Sequence, residues 1–137
     1  MYLVPLKVPA GWEVKWNHFY DIRAEDQRLE DGLIDYPFCE DMLYMTHQGR
    51  MRAIDLGWYP ECDPEGAYHL ILLQGHLEIP EFTHQVKQSV TRKIGGQSLV
   101  YRLEKQIIYD FEHPVKSFQS KDIYQVQAQI DVFLSCE

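Results

Sequence analysis

Apolar and polar residues alternate along several stretches of this chain, and near its end the apolar ones recur at helical spacing. Trp12-Glu13-Val14-Lys15-Trp16-Asn17 alternates cleanly, setting Trp12, Val14, Trp16 and Tyr20 on one side until Phe19 breaks the pattern. That period predicts a half-buried strand over residues 12–20 with two indoles on its inner face. Residues 2–8 predict an earlier strand, held to a sheet edge by Pro5, which has no N–H to give a ladder. Residues 38–45 and 50–58 flank the turn cluster Thr46-His47-Gln48-Gly49, which predicts a hairpin whose second strand turns Ile54, Leu56 and Trp58 inward. Asp63-Pro64-Glu65-Gly66 has the composition of a β-turn. The nearly continuous apolar run from Tyr68 to Gln74 suits the middle of a sheet covered on both faces.

Two segments admit two readings. Residues 21–35 are polar apart from Ile22, Leu29, Leu33 and Ile34, and form either a short helix closing at Gly32 or a loop. In residues 82–110, Val86, Val90 and Ile94 precede Gly95-Gly96, and Leu99, Tyr101, Leu103 and Ile107 follow it. These fit two strands joined at Gly-Gly or two helices with Gly95 as a stop; the Val and Thr content favours the hairpin. Residues 113–118 read as extended. Ser120 then reads as an N-cap with Asp122 in the first turn, and Ile123, Val126, Gln127, Ile130, Val132, Phe133 and Leu134 give a stripe for a helix over residues 121–135. Such a stripe must be buried, and the sheet is available. Residues 1–137 are thus expected to form a single α+β domain: a mainly antiparallel sheet of roughly five to seven strands packed by a C-terminal helix.

Charge changes the picture. Asp21, Glu25, Asp26, Glu30, Asp31, Asp35, Glu40, Asp41, Asp55, Glu61, Asp63 and Glu65 stand against only Arg23, Arg28, Arg50 and Arg52. This third of the chain carries the net charge of −8, and the remainder balances. Such a segment attracts cations or basic proteins and repels nucleic acid and anionic membrane, so neither of the latter is an expected partner. Met1-Tyr2-Leu3-Val4-Pro5 has no charged start followed by a long apolar run, no stretch is long enough to cross a bilayer, and three Cys is an odd number. These features predict a cytoplasmic protein with reduced thiols. Most of the aromatic residues, 13% of the chain, are expected to pack the sheet.

The candidate chemistry is sparse. Cys62, His69, His76 and His84 lack the short spacings of zinc sites, so no metal and no cofactor is expected. Cys39 precedes Glu40 and Asp41, and Cys62 precedes Asp63; neighbouring acids raise a thiol pKa, the reverse of what a nucleophile needs. Glu40 and Asp41, if on a strand, point to opposite faces and do not converge. There is no phosphate-binding Gly-rich loop and no nucleophile elbow. The expectation is therefore a protein without catalytic activity. One alternative is a small enzyme or ligand-binding domain using His69 with Glu61 or Asp63. Another is an accessory subunit docking through the basic arm 87–105, which carries Lys87, Arg92, Lys93, Arg102 and Lys105.

Three sets of short runs carry a resemblance. Pro9-Ala10-Gly11-Trp12 leads to Asn17-His18-Phe19-Tyr20-Asp21-Ile22; Asp55-Leu56-Gly57-Trp58-Tyr59-Pro60-Glu61 leads through Asp63-Pro64-Glu65-Gly66 to the strand from Tyr68. His113-Pro114, Phe118-Gln119-Ser120 and residues 130–134 close the chain. Together they resemble small bacterial immunity-type proteins of polymorphic toxin systems, over roughly half the chain and without a chemically diagnostic motif. Residues 82–110 are extra material relative to that pattern, and no binding residue transfers by position. The resemblance implies a compact α+β protein that binds one cognate toxin. Many toxin domains that cut nucleic acid are basic, and an acidic inhibitor gains on-rate by complementary charge. The expected function is a non-catalytic inhibitor that neutralises such a toxin through its acidic surface. Asp21, Glu25, Asp26, Glu30, Asp31, Glu61, Asp63 and Glu65 are the expected steering or contact charges. Trp58 and Tyr59 are the candidate aromatic anchors, with core packing the competing role for Trp58.

Overall fold

The computed structural model describes residues 2–78, 91–94, 97–100 and 106–136. Its architecture is α+β, as the apolar pattern predicts. The strands are β1 (Trp12–Asn17), β2 (Leu43–His47), β3 (Arg52–Tyr59), β4 (Ala67–Glu78), β5 (Thr91–Ile94), β6 (Gln97–Val100), β7 (Gln106–Tyr109) and β8 (Lys116–Ser120). The helix α1 (Ile123–Leu134) follows them. β1, β2, β3 and β4 pair in sequence order, each antiparallel to the next. β7 and β8 both pair with β4, β8 along Tyr68–Leu72 and β7 along Gly75–Glu78. They behave as one edge strand interrupted by residues 110–115, where the Asp110 carboxylate accepts from the Glu112 and His113 amides. β5 and β6 pair antiparallel with Ile94 opposite Gln97, in agreement with the hairpin reading. Residues 79–90, 95–96 and 101–105 lie outside the described residues, and with them much of the basic arm 87–105.

The core lies between α1 and one face of the sheet, its inner face. Leu43 and Met45 of β2, Ile54, Leu56 and Trp58 of β3, and Tyr68, Leu70 and Leu72 of β4 share that face through the cross-strand register. Val126, Ile130, Phe133 and Leu134 press onto it from α1. Each such side chain, fully buried, contributes about 1.5–3 kcal/mol. The Trp12 indole donates to the Leu134 carbonyl at 3.1 Å, tying β1 to the end of the helix.

Four local expectations need correction. The helix is capped by Asp122, whose carboxylate accepts from the Tyr124 and Gln125 amides, rather than by Ser120. Ser120 ends β8, and its hydroxyl accepts from the Asp122 amide and donates to Gln125 Oε1. Both residues are good caps; β8 pairing through Ser120 pushes the start two residues on. Replacing Asp122 with Ala should cost about 1 kcal/mol, read as a lowered urea midpoint at unchanged slope. Residues 2–8 form no strand: Leu3 makes a single bridge to Tyr20, because Pro5 and Pro9 supply no donors. Of the two readings open to residues 21–35 the loop is the nearer: after a 3-10 turn at Ala24–Gln27 the chain folds back so that Arg28 bridges Ile34, with Gly32 at φ 86° in the bend. The β2–β3 turn is centred later than Gly49, with Met51 at φ 52° and its amide donating to the Gln48 carbonyl.

The fourth correction concerns β1 and has the widest consequence. Val14 pairs with Met45 and Trp16 with Tyr44, so Lys15 is an extra residue and the strand bulges there. A bulge reverses the facing of everything beyond it. Trp12 therefore stays in the core while Trp16 turns to the outer face, and Phe19 becomes fully buried. The break in alternation at Phe19 is the imprint of that bulge.

Candidate functional site

Hydrogen bonds gather much of the acidic segment at one end of the sheet. The Ile34 amide donates to the Cys62 carbonyl, the Cys62 amide to Phe38, the Trp58 amide to Cys39 and the Met42 amide to Leu56. Residues 34–42 thus run alongside the end of β3 and the loop after it. Gly57 permits this: an added Cβ would collide with the Glu40 carbonyl. The Asp63-Pro64-Glu65-Gly66 turn forms as predicted, with the Gly66 amide donating to the Asp63 carbonyl at 2.9 Å.

This gathering puts Glu40, Asp41, Asp55 and Glu61 around the half-buried Tyr59. Burial raises the Tyr59 phenol pKa, and the charges of Asp55, Glu40, Asp41 and Glu61 raise it further. Tyr59 is therefore placed as a polar-tipped aromatic inside a negative field. Trp58, the other expected anchor, is 2% exposed; its indole N–H donates to the Asp63 carbonyl, and its ring packs edge-on against Phe38 and Tyr68. It belongs to the core.

The other expected contact charges fall into two groups. Asp31 and Asp63 cap local turns by accepting from the Leu33 and Glu65 amides, and remain otherwise unpaired. Glu25 lies 4.0 Å from Arg23 and Glu65 lies 3.7 Å from Lys121. Among the described residues these are the ion pairs made by the acids of residues 21–65, and exposed pairs of this kind are worth well under about 1 kcal/mol. Asp21, Asp26 and Glu30 are exposed and unpaired. A cleft of about 420 Å³ opens beside them, floored by Trp58 and Tyr68 and rimmed by Arg23, Arg28 and Lys121 as well as Glu25. Charge is therefore mixed at Asp21–Glu30 and more uniformly negative around Tyr59.

The outer face of the sheet adds residues that sequence reasoning missed. One register row crosses it as Trp16, Tyr44, Asp55, Ile71 and Ser117. Trp16 stacks on Tyr44 at 4.8 Å between centroids with 22° between planes. Tyr109 meets Tyr44 edge-on and Phe111 lies nearly parallel to it, both centroids at 6.5 Å. Burial, with Tyr109 and Asp55 adding, pushes the Tyr44 phenol up to about 12. Burial, with Asp41 adding, pushes the Asp55 carboxyl up to about 6. Asp55 makes no side-chain hydrogen bond or ion pair among the described residues. A polar residue between Ile54 and Leu56 signals an outward-facing position, but its half-burial comes from neighbouring strands and carries no local signature.

His69 packs its ring against Tyr59 at 5.1 Å and borders an open depression of about 300 Å³; it pairs with neither Glu61 nor Asp63. Burial raises the Cys39 thiol, with the charges of Glu61 and Asp41 adding, and the thiol donates to the Asp41 carbonyl, a bond that only its protonated form makes. No group of three His, Cys, Asp or Glu side chains able to hold a metal occurs among the described residues. No described helix is long and apolar enough to cross a membrane. No protein family, curated protein or solved structure matches this chain.

Proposed function

We propose that this protein is a non-catalytic, protein-binding inhibitor: an immunity protein that neutralises a basic cognate toxin through its acidic surface. What supports the reading is the state of the carboxylates of residues 21–65. Of these acids only Glu25 and Glu65 form ion pairs with described residues, both long and exposed, so most of that negative charge is left for an external cation. Glu40, Asp41, Asp55 and Glu61 are also brought together around Tyr59 by the backbone bonds of residues 34–42. Complementary charge of this sort speeds encounter and selects partners.

Charge reversal tests the steering role. Asp26→Lys with Glu30→Lys should slow association by about tenfold at low salt and flatten its salt dependence, with little change in stability because both side chains are exposed. Association kinetics against ionic strength read this directly, and unchanged kinetics would remove that patch from the site. The function itself is tested by co-expressing the chain with the product of a neighbouring toxin-like reading frame. Rescue of growth is the expected outcome; toxicity undiminished despite soluble expression of both would refute inhibition.

A further inference from the structure

We infer that the outer face of the sheet is built to receive one arginine side chain of a partner protein, stacked on the Trp16–Tyr44 platform with its guanidinium against Asp55. This rests on the reading of the protein as a binder of a basic partner and names the contact at its centre.

The bulge at Lys15 turns a large apolar side chain out of the core. Trp16 remains 40% exposed, and Phe111, on the same aromatic cluster, 53%. Bulges re-aim side chains where a surface is used, and exposed aromatic clusters mark interaction sites. Trp16, stacked on Tyr44 by one face and still partly exposed, has ring surface left for a cation.

Asp55 supplies the charge. It stands directly across the strand pair from Tyr44, half-buried and without a side-chain partner among the described residues. A carboxylate partly withdrawn from water and unpaired is complementary to a cation that arrives with a partner. Among the described residues the titratable groups facing it are the acid Asp41, the phenols Tyr44 and Tyr59, and His69, which the register sets diagonally across from it opposite Gly57. Lys15, beside Trp16 in sequence, is held by Glu13 at 2.9 Å. Arginine fits better than lysine because one flat group can stack on a ring and present two parallel N–H donors to a carboxylate.

The test titrates the full chain, isotope-labelled, with a blocked glycine–arginine–glycine tripeptide, its lysine counterpart and its neutral citrulline isostere, followed by NMR. The arginine peptide should shift the Trp16 indole N–H and the β2 and β3 amides around Tyr44 and Asp55. It should bind at least about fivefold more tightly than either counterpart. Asp55→Asn and, separately, Trp16→Ala should each weaken binding by a similar factor, as should lowering the pH through about 6 so that Asp55 takes up a proton. Equal binding of the lysine peptide would overturn the assignment of arginine. Shifts confined to the loops around Asp26 and Glu30, untouched by Asp55→Asn, would overturn the outer-face site while leaving an acidic toxin-binding surface in place. Binding at Asp55 as expected, together with no rescue in co-expression, would retain this site and reject the toxin.

Discussion

Replacing Gly57 with alanine is expected to destabilise the fold by about 2–3 kcal/mol, far more than one methyl group on a strand normally costs. The new Cβ would collide with the Glu40 carbonyl oxygen, come within 2.9 Å of the Glu40 carbonyl carbon and lie 2.7 Å from Tyr59 Cε2. A flexible side-chain tip could swing away, but this backbone is held on both sides. The Cys39 carbonyl accepts from Trp58 at 2.8 Å, and the Met42 amide donates to Leu56 at 3.0 Å. Relief requires breaking one of those bonds. Urea unfolding reads the change as a lowered midpoint, and the loosened loop should carry Glu40 and Asp41 away from Tyr59. A loss below about 0.5 kcal/mol would mean that residues 38–42 do not lie against β3.

Asp55→Asn should have the opposite sign. The folded chain holds the Asp55 proton up to about pH 6, against an ordinary value of 3.8. Between those values the native state binds more protons than the unfolded one, so stability falls as pH rises through the window and stays lower above it. Below about pH 4 both states are protonated and the penalty vanishes. Asparagine keeps the shape and discards the charge. It should therefore raise stability at about pH 8 by about 1–2 kcal/mol, a figure reduced from the full shift because the carboxylate keeps some contact with water, and leave it nearly unchanged at about pH 4. Paired urea titrations at the two pH values check this; an equal gain at both would exclude charge burial as the cause. The same substitution should weaken the binding of a cationic partner, so stability and recognition pull this position in opposite directions.

Much of the fold was legible in the residues. The Asp63-Pro64-Glu65-Gly66 turn, the β2–β3 hairpin, the apolar run of β4 and the stripe of α1 all carry their geometry in local composition. The failures have physical reasons. Ser120 and Asp122 are both competent caps, and pairing between β8 and β4 decides between them. Prolines at 5 and 9 remove the donors that an alternating pattern assumes. At Phe19 the broken alternation held the right information, but locating the inserted residue needs the partner strand. The site was less legible than the fold. Glu61 and Tyr59 stand out in the acidic stretch itself, whereas Asp55, Tyr44 and Trp16 come together only through register across three strands.

The interruption at residues 110–115 has a bearing on how the protein behaves at high concentration. A sheet border exposes free amides and carbonyls that a neighbouring molecule can extend, and long straight borders seed fibres. Here one border is split by Asp110, His113 and Pro114, and the first sheet strand at the opposite border is kinked at Lys15. Among the described residues neither side of this sheet offers a long even template, which favours discrete molecules over strand-by-strand polymerisation even when the chain is made in excess.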